Sequence, residues 1–186
     1  MCGIFSLLNY CKYDMEFIKS QFLKGQTRGP EDTRNIILNK NFIGFHRLAI
    51  NGLNTESNQP LDIQNIVLIC NGEIYNYKKL YNQLSVVPST DSDCEVIIHS
   101  YLKYGIEYTL QTLDGVFAFI LYDLRLNKIY AARDPFGIRP MFIMKDPIKK
   151  GIGIASEMKQ LNLFSTNVEQ AMPGHIYEFD LDIYNS

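Results

Sequence analysis

Residues 66–73 read Ile-Val-Leu-Ile-Cys-Asn-Gly-Glu. The apolar run Ile66–Cys70 is too short for a helix and ends at a polar step, which predicts a strand. A strand that is apolar at consecutive positions turns an apolar side chain to each face, so it lies covered on both. The same pattern recurs at Cys2–Leu8, Phe42–Ile50, Val116–Tyr122, Ile129–Ala132, Met141–Met144 and Ile152–Ala155, with a final strand expected near Ile176–Asp180. Short polar links, such as Arg125–Lys128, favour antiparallel neighbours.

Helices are fewer. Cys94, Ile97, Ile98, Tyr101 and Leu102 share one helical face, with Ser92 or Asp93 as cap, Glu95 in the first turn and Gly105 placed to end it. Tyr77, Leu80, Tyr81 and Leu84 form a second stripe; Met15, Ile18, Phe22 and Leu23 form a third, ended near Gly25. Doubly covered strands with few helices imply stacked layers: an α+β fold of two antiparallel sheets face to face with helices outside. No repeat, low-complexity tract or linker divides the chain, so one domain over 1–186 is expected, with Asp180–Ser186 polar enough to fray.

Composition narrows the function. The 186 residues are 46% hydrophobic and 20% charged, which rules out a disordered chain. A net charge of −2 without a basic block argues against a nucleic-acid partner. No apolar run reaches about 18 residues, so no membrane span is expected. MCGIFSLLNYCKYD lacks the basic region of a secretory signal. Cys2, Cys11, Cys70 and Cys94 show no CxxC spacing, which predicts a reducing, cytoplasmic setting without disulfides, and no ligand cluster predicts a metal. One domain of this length has little room for both a nitrogen-donor site and a separate substrate-activating site.

Several residues carry chemistry. Removal of Met1 before a small residue would leave Cys2 with a thiol and a free α-amine, whose ordinary pKa values lie near 8.5 and 7.7–8.0. Nucleophile and base would then sit on one residue, and none of His46, His99 or His175 is required. The alternative is a small buried hydrophobe at a strand start. Asn71-Gly72 reads either as a hairpin turn or as an amide and a backbone N–H aimed at an oxyanion. Arg47, inside an apolar run, needs a carboxylate from the protein or from a ligand. Asp93 reads as a helix cap or as an anion for a substrate ammonium, a role open to Glu73 as well. Arg47 opposite Glu73 and Asp93 would clamp a free α-amino acid.

The segments MCGIF, Arg28-Gly29-Pro30-Glu31-Asp32, Arg47-Leu48-Ala49-Ile50, Asn58-Gln59-Pro60-Leu61, Asn71–Tyr77, Ser92–Glu95, Asp114–Phe119, Ala132–Pro140 and Ala155–Lys159 resemble, in order, the glutaminase domain of asparagine synthetases. The resemblance covers nearly the whole chain. It implies a class II glutamine amidotransferase with the N-terminal-nucleophile hydrolase fold, a four-layer α-β-β-α sandwich of antiparallel sheets. It further implies that Cys2, with Met1 removed, attacks the side-chain amide of L-glutamine. Asn71 and Gly72 match the oxyanion-hole positions, Arg47 the α-carboxylate site, Glu73 and Asp93 the α-ammonium site. Leu48, Ala49, Ile50 and Asn51 match the pocket lining.

Two departures stand out. The family places His two residues before the Arg; here that position is Phe45 and the ring is at His46, which predicts altered packing with activity kept. Asn51 replaces a more usual apolar residue in the pocket floor. The Ser-Gly-Gly-x-Asp-Ser loop of a synthetase domain is absent from the sequence, so no synthetase domain is expected here. The resemblance accordingly implies no cofactor in this chain, with ATP and Mg used only by an ammonia-accepting synthetase domain or chain. Nothing in the pattern specifies an oligomeric state. Two other readings remain: an N-terminal-nucleophile hydrolase of another amide, and a catalytically silent glutamine-binding regulatory domain.

Overall fold

The computed structural model describes residues 1–184. The strands are β1 (Gly3–Leu8), β2 (Asp32–Leu38), β3 (Asn41–Arg47), β4 (Leu61–Ile63), β5 (Ile66–Ile74), β6 (Gly115–Asp123), β7 (Lys128–Arg133), β8 (Phe142–Asp146), β9 (Gly151–Ala155), β10 (Val168–Gln170) and β11 (Ile176–Asp180). The α-helices are α1 (Met15–Leu23), α2 (Tyr77–Leu84), α3 (Glu95–Thr112) and α4 (Leu181–Tyr184). One sheet has six strands in the order β10-β8-β9-β1-β3-β2, the other five in the order β11-β7-β6-β5-β4. Neighbouring strands in both sheets pair antiparallel.

Side-chain alternation builds the layers. From β1, Ile4 and Leu8 enter a core between the sheets, where they meet Val67, Ile69, Ala118 and Ile120 of the other sheet. Phe5 and Leu7 point the opposite way, against Ile18 and Phe22 of α1. Ile66, Leu68 and Cys70 face outward from the second sheet, under Leu80, Ile97 and Tyr101 of α2 and α3. The result is a four-layer α-β-β-α sandwich. Phe5 sits 5.7 Å, ring to ring, from both Phe22 and Phe42. Truncating such a fully buried ring costs about 3–5 kcal/mol. On the same alternation, Cys2, Arg47, Asn71 and Glu73 share the inward parity of Ile4, Phe45 and Ile69. They gather at one end of the space between the sheets.

Four expectations need correction. Asn71 and Gly72 are not a turn: β5 runs through them to Ile74, opposite Ala118 and Phe117. Asp93 is not a helix cap: Ser92 Oγ accepts from Cys94 N at 3.3 Å, and the Asp93 carboxylate is used elsewhere. Gly105 breaks α3 at φ 79° without ending it, since helical backbone resumes to Thr112. In the tail, Leu181–Tyr184 forms a short helix, and Asn185 and Ser186 lie outside the described residues. Among the described residues no helix is long and apolar enough to cross a membrane, and all four cysteines are free.

Candidate active site

A cavity of about 40 Å³ opens at that end of the sandwich, with Cys2, Arg47, Leu48, Asn71, Glu73, Asp93 and Arg139 among its lining. Ala49, Ile50, Asn51 and Gly72 line it too, so the structure brings every sequence-predicted site residue to one place. Such a volume admits water and is well below the ~300 Å³ of common ligand pockets. Met1 forms part of the wall, with its Sδ 2.7 Å from Arg139 Nη1.

Cys2 leads into β1 and is fixed by its surroundings. Arg28 Nε donates to its carbonyl at 2.9 Å, and Ser156 Oγ accepts from Ile4 N at 3.0 Å. Its Sγ lies 3.4 Å from both the N and the O of Leu48. Burial pushes the Cys2 thiol up, while the Leu48 backbone and the Arg47 charge pull the other way. A half-buried thiol whose pKa is pushed up needs a nearby base before it becomes a nucleophile.

Arg47 ends β3 and is 8% exposed. Its guanidinium donates to the carbonyl of Asn54 at 3.1 Å, to the carbonyl of Gly52 and to Asn58 Oδ1. These neutral acceptors tie the 52–58 loop to the strand, and Asn54 Nδ2 carries the tie on to Asp91 at 2.7 Å. Among the described residues no carboxylate forms an ion pair with Arg47, so the internal ion pair weighed from sequence is not what occupies it.

Asp93 is 4% exposed and accepts from Ile74 N at 2.6 Å. It too has no cationic partner among the described residues. Burial pushes its carboxyl up, against the Ile74 N–H and the Asn51 side chain, which favour the charged form; the Glu73 charge raises it further. Glu73 is paired, at 3.3 Å from Arg139.

The β5 edge explains Asn71 and Gly72. β4 pairs with β5 only as far as Leu61 opposite Leu68, which leaves the edge beyond it without a strand. Residues two apart on a strand present their N–H to the same edge. Cys70 N donates to Gln59 Oε1 on this edge, and Ile74 N donates to Asp93. Gly72 N–H lies between them and faces the cavity. A Cβ on Gly72 would fall 2.6 Å from Val116 O, so only glycine fits. Asn71, 2% exposed, holds a buried Nδ2 without an acceptor among the described residues. A buried amide donor without a partner costs about 1–3 kcal/mol unless something completes it.

Sequence reasoning missed Arg139 and Gln59 as site residues. Arg139 is presented by a loop tied to the buried Asp134, whose carboxylate accepts from the N–H groups of Phe136, Ile138 and Arg139 at 3.0–3.1 Å. Arg133 Nε holds the carbonyl of Arg139 at 2.7 Å. The Arg-Asp-Pro-Phe-Gly-Ile-Arg run was the available signal. His46 is structural: its ring stacks on Phe22 at 4.1 Å and its nitrogens meet Thr33 Oγ1 and Phe22 O at 2.9 Å. Among the described residues no group of His, Cys, Asp and Glu is placed to hold a metal.

A family model described as "Glutamine amidotransferase domain" matches residues 1–181. A probable asparagine synthetase [glutamine-hydrolyzing] of Acanthamoeba polyphaga mimivirus is 35% identical over 97% of the chain. The asparagine synthetase [glutamine-hydrolyzing] of Gallus gallus is 40% identical, also over 97%. The chain spans about a third of these relatives, 34% of each. Among solved structures, glutamine phosphoribosylpyrophosphate amidotransferase from B. subtilis superposes with a TM-score of 0.81 at 24% identity, over 97% of this chain and 48% of that one. A likeness at that identity speaks for the fold.

Proposed function

The chain belongs to the glutamine amidotransferase domain family, and we propose that residues 1–186 act as one glutaminase domain, releasing ammonia from L-glutamine through Cys2. The observation that carries this reading is a set of unmet demands around one cavity. Among the described residues, Arg47 is a buried cation without a carboxylate, Asp93 a buried carboxyl without a cation, and Asn71 Nδ2 a buried donor without an acceptor. Glutamine brings an α-carboxylate, an α-ammonium and, in its transition state, an oxyanion.

Removal of Met1 frees the Cys2 amine and clears one wall of the cavity. The amine takes the thiol proton, directly or through a water. The thiolate attacks the amide carbon, and charge develops on the amide oxygen, where Asn71 Nδ2 and Gly72 N–H stabilise it. Collapse expels the nitrogen, protonated, as ammonia and leaves a γ-glutamyl thioester. Water attacks the thioester, returns the proton to Cys2 sulfur and releases glutamate. Arg47 and Asp93, with Glu73, hold the α-carbon end, while Leu48, Ala49, Ile50 and Asn51 enclose the side chain.

The ammonia is destined for asparagine synthesis in a synthetase domain or chain, which would use ATP and Mg; the named relatives support this. The test is glutamate release from glutamine by protein whose mass lacks Met1. Cys2→Ala should abolish it, and turnover that survives that change would overturn the reading. Transfer to aspartate is tested with amide-nitrogen-labelled glutamine and ATP in the whole protein.

A further inference from the structure

The ladder between β4 and β5 stops one pair short of where its register would carry it. Leu61 pairs with Leu68, so two residues further out Gln59 would face Cys70. It does, but with its side chain in place of its backbone. Gln59 Oε1 accepts from Cys70 N at 2.5 Å and Nε2 donates to Cys70 O at 3.2 Å. Gln59 is 7% exposed and lines the cavity. The side-chain amide thus imitates one peptide of a missing strand and then ends.

Ending there has a geometric result. A β4 continued in that register through Gln59 to Ser57 would reach Gly72 and consume its N–H. The glutamine amide instead satisfies Cys70 and leaves the next donor on that edge open. Asp93 pins the following one, Ile74 N, at 2.6 Å. Gly72 N–H is therefore held between two pinned peptides, with no hydrogen-bond acceptor for it among the described residues, while Cys94 Sγ lies 3.9 Å from the Gly72 carbonyl. The Cys70 carbonyl that Gln59 holds belongs to the same peptide as Asn71 N, so the bond also fixes the entry to Asn71.

We propose that Gln59 is the positioning residue of the oxyanion hole: by standing in for a strand, it sets the direction of Gly72 N–H and the placement of Asn71. This rests on the glutaminase reading above. Gln59 touches no reacting atom and acts through β5. Its effect should therefore appear in the transition state and leave ground-state binding of glutamine alone, because misplaced donors lose interactions that form as charge develops.

The experiment first measures glutamate release by the unaltered protein with Met1 removed. Silence there defeats the glutaminase reading, and this inference with it. Given activity, Gln59→Leu and Gln59→Glu are compared with it. Gln59→Glu keeps an acceptor for Cys70 N but sets a second acceptor against Cys70 O. Active sites are counted by stoichiometric labelling of Cys2 with an electrophilic glutamine analogue, so misfolded protein does not enter kcat. The expected result is a fall in kcat of about tenfold or more with KM within twofold. The inhibition constant of glutamate γ-semialdehyde, which adds the thiol to form a tetrahedral oxyanion, should rise by the same factor, while that of glutamate holds. In Gln59→Glu the loss should shrink, relative to the unaltered protein, as pH falls and the new carboxyl regains a proton to donate. Unchanged kcat overturns the proposal. So does a fall in kcat with an unchanged semialdehyde constant, or a rise in KM that matches it. Should Gln59→Leu fail to fold, Gln59→Glu decides alone.

Discussion

Arg47 and Asp93 confront the same cavity as buried groups of opposite charge, and neither has a counter-ion among the described residues. Two such groups on one chain would ordinarily find each other or be replaced. Held apart on β3 and just ahead of α3, they suit a molecule that carries both charges at once, as the proposed function requires.

Arg47→Ala should raise the KM for glutamine about 10- to 100-fold and change kcat little, because the α-carboxylate contact is alike in ground and transition states. Steady-state kinetics check this. An equal loss in kcat would place Arg47 in the chemistry.

Asp93→Asn should weaken glutamine binding and yet stabilise the empty protein at neutral pH. Burial holds the folded carboxyl above its usual range. Such a group contributes fully only below its unfolded pKa, near 3.9, and becomes a burden as pH rises and it ionises. An Asn oxygen still accepts from Ile74 N. Melting curves of the two proteins should therefore converge near pH 4 and separate towards pH 7, where each kcal/mol is worth about 2–4 °C.

Asn71→Ala should lower kcat by about 10²–10³ with KM nearly unchanged. Thermal stability should hardly move, since the buried Nδ2 has no hydrogen bond to lose. Calorimetry and kinetics on one preparation test both halves; a large fall in melting temperature would show a structural role.

Glu95 governs acid stability. It is wholly buried at the start of α3, where Ser89 N and Thr90 N donate to it at 2.7 Å and His99 Nε2 lies at 2.8 Å. Burial would raise its carboxyl, but His99, Thr90 and Ser89 outweigh that and hold it at about 2. The stability it supplies is present above the unfolded pKa and lost as pH falls from about 4.5 towards 2. Glu95→Gln should cost about 1–3 kcal/mol at pH 7 and flatten that acid limb, read by denaturant titration at several pH values.

The layered sandwich was legible because doubly covered strands leave unbroken apolar runs. β2 left none: Asp32–Leu38 is a half-exposed edge strand, and its polar residues hid it. Asn71-Gly72 misled in the other direction, since the dipeptide that favours a turn sits here in a ladder with β6. That outcome depends on Gly115–Asp123, which no local pattern around Asn71 reveals. His46 and Phe45 take opposite faces of β3. A shift of one residue along a strand moves a side chain to the other face, so the ring lies on Phe22 under α1 while Phe45 lines the cavity. Gln59 was hidden for a similar reason, because its partner is a backbone eleven residues away.

Met1 standing in the cavity wall bears on how this protein is handled in the laboratory. On the proposed mechanism, a purification handle fused ahead of it would lock the Cys2 nitrogen into an amide and keep the mouth plugged, so a tagged sample would be well folded and inert. Handles belong at the other end. A preparation with uneven processing would behave as a blend of working and blocked molecules, whose specific activity tracks the host's aminopeptidase.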